Sequence, residues 1–144
     1  SREMIRYISL AFLAIMLTSC EDSVVEKIAQ AYKDGTPKVV NIFNKEETLK
    51  IGYRAYHENG NISMEGDFSN DKKHGQWRSY FSNGSLWTVN NYDQGEFHGK
   101  YLMYNQNGTI RISGQYTQNI QSGKWTVTEP DGTVIREDDF GAPQ

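Results

Sequence analysis

Between Gly75 and His98 the chain sets strand-forming residues on alternate positions around a turn dipeptide. Trp77 and Tyr80 lead into Asn83-Gly84, and Leu86, Thr88, Asn90 and Tyr92 lead away from it. Asn-Gly between two such runs is a strong hairpin signal, because a type I′ turn needs positive φ at both central residues. The pattern recurs. Turn glycines stand at Gly60, Gly84, Gly108 and Gly132, a period of 24, with Gly35 a further 25 residues upstream. Eight residues after each comes an aromatic: Phe43, Phe68, Tyr92, Tyr116 and Phe140. Two after come Pro37, Ile62, Leu86, Ile110 and Val134, and seven before four of them come Tyr53, Trp77, Tyr101 and Trp125. Even offsets share a sheet face, so the residues two, four and eight after each glycine point the same way.

A period in the twenties marks a stacked repeat protein. A lone hairpin is marginal in water, so each unit needs its neighbours to bury the aromatic column, at about 1.5 to 3 kcal/mol per large apolar side chain fully buried. The expected fold is all-β: about five stacked antiparallel β-hairpin repeats, forming one extended twisted sheet over residues 32–140, with a tail at 141–144. The first unit reads as imperfect. Tyr32 to Gly35 is one residue shorter than Tyr56 to Gly60, and Pro37, which lacks a ladder donor, suits an exposed edge. In the last unit Arg136 and Asp138 stand where Ile112 and Gly114 stand earlier, and a charged final strand caps a repeat array. The charged stretch from Asn44 to Lys50 and the exit turns around Lys73, Phe97 and Gln121 are expected as surface loops.

Composition changes this picture little: 144 residues, 13 glycines, a net charge of −3 and a mean hydropathy of −0.70 describe one modest acidic domain. Nucleic acid is not an expected partner, since its binding needs a basic patch. The first residues differ in kind. Arg2 and Arg6 precede an apolar run from Ile8 to Leu17, and small residues then lead to Cys20. That layout predicts a helical secretory signal over 1–19, too short in its apolar centre to span a bilayer. If Met4 is the initiator, Ser1, Arg2 and Glu3 lie upstream and Arg6 alone supplies the positive end. Residues 20–31 hold no turn residue and only loosely helical spacing at Val24, Val25, Ile28 and Ala29, so they read as a tether with one or two helical turns. Cys20 is the only cysteine, which rules out an intrachain disulfide.

Leu17-Thr18-Ser19-Cys20 resembles the lipobox of bacterial lipoproteins. The resemblance implies cleavage before Cys20, diacylation of its sulfur with palmitate-type chains and acylation of the new amine. The mature chain would then sit on a membrane without spanning it. Glu21-Asp22 is similar to the surface-export signal of Bacteroidetes lipoproteins, and Asp22-Ser23-Val24 to the short O-glycosylation motif of that phylum. These resemblances imply a lipid-anchored protein of the bacterial cell envelope, in the outer membrane and facing outward.

Gly-x-Trp or Gly-x-Tyr, a tyrosine three residues on, Asn-Gly, an aliphatic and a closing aromatic resemble the variant MORN repeat, over residues 32–140. Gly52 directly beside Tyr53, Thr128 in place of the tyrosine found at Tyr56, Tyr80 and Tyr104, and the first turn depart from it. The resemblance implies a scaffold or protein-binding module rather than a reaction, and related sequences carry an antitoxin label.

The residues themselves show no catalytic arrangement. There is no nucleophile elbow, phosphate-cradling loop or His-Glu-x-x-His, and the neighbours Glu46-Glu47 and Asp138-Asp139 read as solvated charge. His74 and His98 hold matching places before Gly75 and Gly99, but Ser122 follows in the series and zinc needs three or four ligands. His57 sits beside a turn. No enzyme activity, cofactor or metal site is expected, and the sequons at Asn61, Asn83 and Asn107 read as turn chemistry. Trp87, three residues after Gly84 and off the aromatic column, is the candidate contact residue. The expected function is an envelope lipoprotein whose sheet binds a protein partner. A surface module binding glycan through exposed aromatics is the alternative, and an antitoxin-like neutralising protein a further one.

Overall fold

The computed structural model describes residues 23–143, so the signal segment and Cys20 lie outside the described residues. Eleven strands form one open antiparallel sheet. In chain order they are β1 (Val25–Ala31), β2 (Pro37–Phe43), β3 (Lys50–Tyr56), β4 (Ile62–Ser69), β5 (Lys72–Tyr80), β6 (Leu86–Asp93), β7 (Glu96–Phe97), β8 (Gly99–Tyr104), β9 (Ile110–Thr117), β10 (Ile120–Thr128) and β11 (Val134–Asp139). Each strand pairs with its neighbours in sequence, except that short β7 pairs only with β6, beside β8. The five hairpins are β1–β2, β3–β4, β5–β6, β8–β9 and β10–β11.

Three expectations need correction. The tether is a strand from Val25 onward: β1 pairs with β2, Val25 opposite Phe43 and Lys27 opposite Asn41. Its loosely helical spacing comes from register shifts around Gln30, which break the alternation that marks a strand. The first turn is not shortened. Gly35 N–H donates to Tyr32 O as Gly60 N–H donates to His57 O, both at 2.9 Å, so Tyr32 stands in the place of His57 rather than Tyr56. The extra residue of the first period falls instead in the loop between β2 and β3.

The Asn-Gly hairpins are also not type I′ turns. Among the residues of the Phe81–Ser85 turn only Gly84 has positive φ, at 89°, and Phe81 N–H donates to Ser85 O at 2.8 Å. This is the three-residue loop closed by a glycine bulge, and a register shift recurs one strand residue before it in the four hairpins from β3 to β11. Consecutive positive φ values occur at the other end of the strands, at Asn70-Asp71, Gln94-Gly95 and Gln118-Asn119. There the two-residue connection must match the strand twist directly.

Trp77 is 4% exposed and Trp125 8%, and these indoles mark the deepest points of the aromatic face. The eight-after aromatics, expected to be the buried column, are only half-buried, and Phe140 is exposed. A single layer has no second sheet to cover it, so a ring is buried by lying down on its own sheet. The Gly-x-Trp motif does this. Gly75 and Gly123 take φ of 73° and 63° at register shifts opposite Gly66 and Gly114. The indole two residues later folds back over that facing glycine. A Cβ at Gly66 or Gly114 would sit inside the ring of Trp77 or Trp125. The indole N–H then donates to the next carbonyl, Trp77 to Asp67 O at 2.9 Å and Trp125 to Gln115 O at 3.1 Å.

In β11 Asp138 occupies the place of Gly66 and Gly114, opposite Trp125. A charged side chain there leaves no floor for another ring, and the array meets solvent at that edge. Gly66→Ala should lose about 1 to 3 kcal/mol of unfolding free energy through overpacking and shift Trp77 emission. Gly60→Ala, where φ is 86° and no atom lies within 4 Å of the added Cβ, should lose about 1 to 2 kcal/mol from backbone conformation with Trp77 emission unchanged. Denaturant unfolding followed by fluorescence checks both.

Candidate functional site

Because paired residues share a face, the ladder assigns every strand side chain to one of two sides. One side is aromatic. Trp77, Asn90, Gly66 and Tyr53 fall on it, with Phe68, Tyr92, Tyr101, Tyr116 and Trp125. Its rings touch in an unbroken chain. Tyr53 lies 5.6 Å from Trp77, Trp77 6.1 Å from Tyr92, Tyr92 4.8 Å from Phe97, Phe97 5.1 Å from Tyr116, and Tyr116 5.0 Å from Trp125. Such pairs add about 0.5 to 1.5 kcal/mol each beyond area burial.

At the exit-turn side the closing aromatics face lysines in the early units: Phe43 pairs with Lys50 and Phe68 with Lys73, whereas Tyr92 pairs with Phe97 and Tyr116 with Gln121. Each lysine reaches a ring of its own hairpin. Lys50 Nζ is 4.0 Å from the Phe68 centroid, and Lys73 Nζ is 4.4 Å from Trp77 and 5.1 Å from Tyr92. Burial pushes the Lys73 ammonium below its ordinary pKa.

The opposite side is a polar network over β1 to β5. Arg54 Nη1 donates to Glu26 at 3.3 Å, and its Nε is enclosed without a hydrogen-bond acceptor, 4.0 Å from Glu65 Oε2. Tyr80 donates its hydroxyl proton to Glu65 Oε1 at 2.8 Å, and Arg78 pairs with Gln76. Of these, Arg54, Glu65, Gln76 and Arg78 border a cleft of about 190 Å³ with Ile42 and Asp67. Being matched in charge and open to solvent, they chiefly tie adjacent strands together.

Trp87 is 43% exposed, its ring 5.6 Å from Phe81. It shares the polar side with Val89 and Asn91, away from the aromatic chain. The histidines serve turns. The Nδ1 atoms of His74 and His98 accept from the backbone N–H groups of Gln94 and Gln118 at 3.3 and 3.4 Å, and His57 Nε2 lies 2.9 Å from Tyr80 O. Among the described residues no three His, Cys, Asp or Glu are grouped to hold a metal. Asn59, Asn83 and Asn107 accept from the backbone two residues on, as Asp34 and Asp131 do. Glu47 pairs with Lys27, and Asp138 with Arg136 at 2.6 Å.

Sequence reasoning placed Lys50 and Lys73 in surface loops and passed over Arg54 and Glu65. Strand parity alone would have put Lys73 beside Trp77. Lys50 covers Phe68 on the paired strand of its own hairpin and Lys73 covers Trp77 on its own strand, which the surface-loop reading of both stretches hid.

The family model of the MORN repeat variant matches three consecutive segments of the chain, residues 53–70, 73–94 and 97–118. No curated protein matches. Among solved structures the crystal structure of TarM is similar at 15% identity with a TM-score of 0.47, covering 74% of this chain but 20% of that one.

Burial raises the phenol pKa of Tyr92 and Tyr101, and burial followed by the bond to Glu65 raises that of Tyr80. A raised folded-state pKa means that the folded chain holds these protons longer. The stability they contribute is complete below about pH 10 and falls as pH rises through the folded values. Lys73, shifted down, acts in the opposite sense between its folded value and about 10.4. Denaturant midpoints should therefore fall above about pH 10, and less steeply in Tyr92→Phe and Tyr101→Phe.

Proposed function

With three consecutive MORN repeat variants as the premise, we propose that the protein is a membrane-anchored scaffold that binds another protein of the bacterial envelope through its sheet, without catalysis. The carrying observation is architectural: five hairpins form one open layer, so both broad faces and the β1 and β11 edges face outward. Stacked repeats of this kind offer extended surfaces in proportion to their number. Edge strands can also accept an added strand from a partner. The lipobox at Leu17–Cys20 supports the anchor, with acyl chains on Cys20 holding the sheet at the membrane. No helix of the described residues is long and apolar enough to cross a membrane.

Trp87 favours a second reading. An exposed indole beside Phe81 offers apolar ring surface of the kind that takes a sugar, and this would make the protein a surface glycan-binding module.

Expressed from its native start in a bacterial host, the chain should partition with membranes and show the mass of an acylated polypeptide beginning at Cys20, while Cys20→Ala should be soluble and unacylated. A soluble wild-type chain retaining the residues before Cys20 would overturn the anchor. Affinity purification from envelopes should recover one stoichiometric protein partner. Retention on polysaccharide that Trp87→Ala abolishes, with no protein recovered, would favour the glycan reading instead.

A further inference from the structure

The two faces differ in where they carry carboxylates. Every carboxylate on strands β1 to β10 lies on the polar side: Glu26, Glu65, Asp67, Asp93 and Glu96. The aromatic side of those ten strands has none, although the chain as a whole is acidic at −3. Its cations there are Lys27, Lys50 and Lys73. Lys27 is paired with Glu47. Among the described residues Lys50 and Lys73 have no carboxylate within 4.0 Å; they lie over rings instead. They stand on β3 and β5, two strand spacings or about 9.5 Å apart along the repeat axis.

Beside this row runs a second one on the same face, in which Ala55 and Met64 lead to the mutually hydrogen-bonded Ser79 and Thr88 and then to Met103, Ile112 and Val127. Met64 is 38% exposed, and Met103 and Ile112 are half-buried. The face thus sets free ammonium groups parallel to a strip that is aliphatic except for the buried Ser79–Thr88 pair. Lys50 and Lys73 lie across Phe68 and Trp77, so these rings present no open face for a sugar to stack on. The aliphatic strip has nothing to offer a polyphosphate. Carboxylates and aliphatic side chains together are the chemistry of a polypeptide.

We propose that the aromatic face binds an acidic segment of a partner protein, laid along the repeat axis with carboxylates on Lys50 and Lys73 and apolar side chains on Met64, Met103 and Ile112. This deepens the scaffold reading and rests on it. The partly desolvated ammonium of Lys73 recovers favourable surroundings when a carboxylate arrives. On the polar face cations are already matched by carboxylates, as Arg54 is by Glu26 and Glu65.

The test uses the full chain carrying Trp87→Phe, so that emission reports Trp77 and Trp125 on the aromatic face. A synthetic peptide of Glu and Leu should change that emission saturably, more weakly as salt rises, while its Gln/Leu counterpart should not. Lys50→Glu with Lys73→Glu should weaken binding by about tenfold or more, which is about 1.4 kcal/mol or more. Lys50→Met with Lys73→Met, which keeps an uncharged stem of similar length on the rings, should lose most of it. Lys100→Glu with Lys124→Glu, on the polar face, should not weaken it.

Equal binding of the Gln/Leu peptide, no saturable response, or a response only to phosphatidylglycerol vesicles or polygalacturonate would overturn the proposal. An envelope partner still captured by the Lys50→Glu, Lys73→Glu chain would sink this inference and leave the scaffold reading standing. Glu/Leu peptide binding without any envelope partner would support the inference and sink the scaffold reading.

Discussion

A sheet one layer thick has no second layer to bury its rings, and the structure depends on the solution to that problem. An indole is laid flat across a facing glycine and tied down by its N–H. Only glycine leaves room for this, and only a strand kinked by a positive-φ glycine brings the ring back over its neighbour. Trp77 over Gly66 and Trp125 over Gly114 are the same device 48 residues apart, which is two repeats. The unit between them has Tyr101, with Asn90 at the glycine's place; Tyr101 packs on Trp125 and Tyr116 instead of forming a third anchor, and Tyr92, Phe97 and Tyr116 join the two indoles.

From this constraint the rest follows. Because burial is achieved within the layer, both faces stay open to partners, and stability accumulates from hairpin to hairpin as in other repeat arrays. The turns at both ends stack by their own bonds. Tyr32 donates its hydroxyl proton to Tyr56 O at 2.7 Å, Asn61 donates to Ser82 O at 2.8 Å, and at the exit end Gly95 N–H donates to Lys73 O at 2.8 Å. At Asp138, opposite Trp125, the place of the facing glycine is charged and the device is not repeated. Lysines over aromatic rings continue the same economy at the exit side, covering Phe68 and Trp77 with alkyl stems while leaving charge on the surface.

The repeat was legible because its glycines are demanded by backbone geometry, and geometry of that kind leaves a strict period. Sidedness was legible in part, through even spacing. What escaped were features in which a bulge breaks parity: β1 with its shifts around Gln30, and the hairpin loops whose glycine bulge resembles a type I′ signal at the level of Asn-Gly. The first turn was misaligned because Tyr32 resembles Tyr56 chemically while occupying the place of His57. At the candidate site, Trp87 could be picked out because one odd offset places it off the aromatic column. Lys50 and Lys73 could not, since both fell in stretches read as surface loops, and only the pairing of β3 with β4 brings Lys50 to Phe68.

The central claim is that the indoles lie on the glycines, and proton NMR tests it most directly. An Hα facing an aromatic ring is strongly shielded. One Hα each of Gly66 and Gly114 should resonate far upfield of the other glycines, with nuclear Overhauser contacts to the ring protons of Trp77 and Trp125 respectively. Ordinary glycine shifts without those contacts would contradict the account and require another source of burial for this single layer.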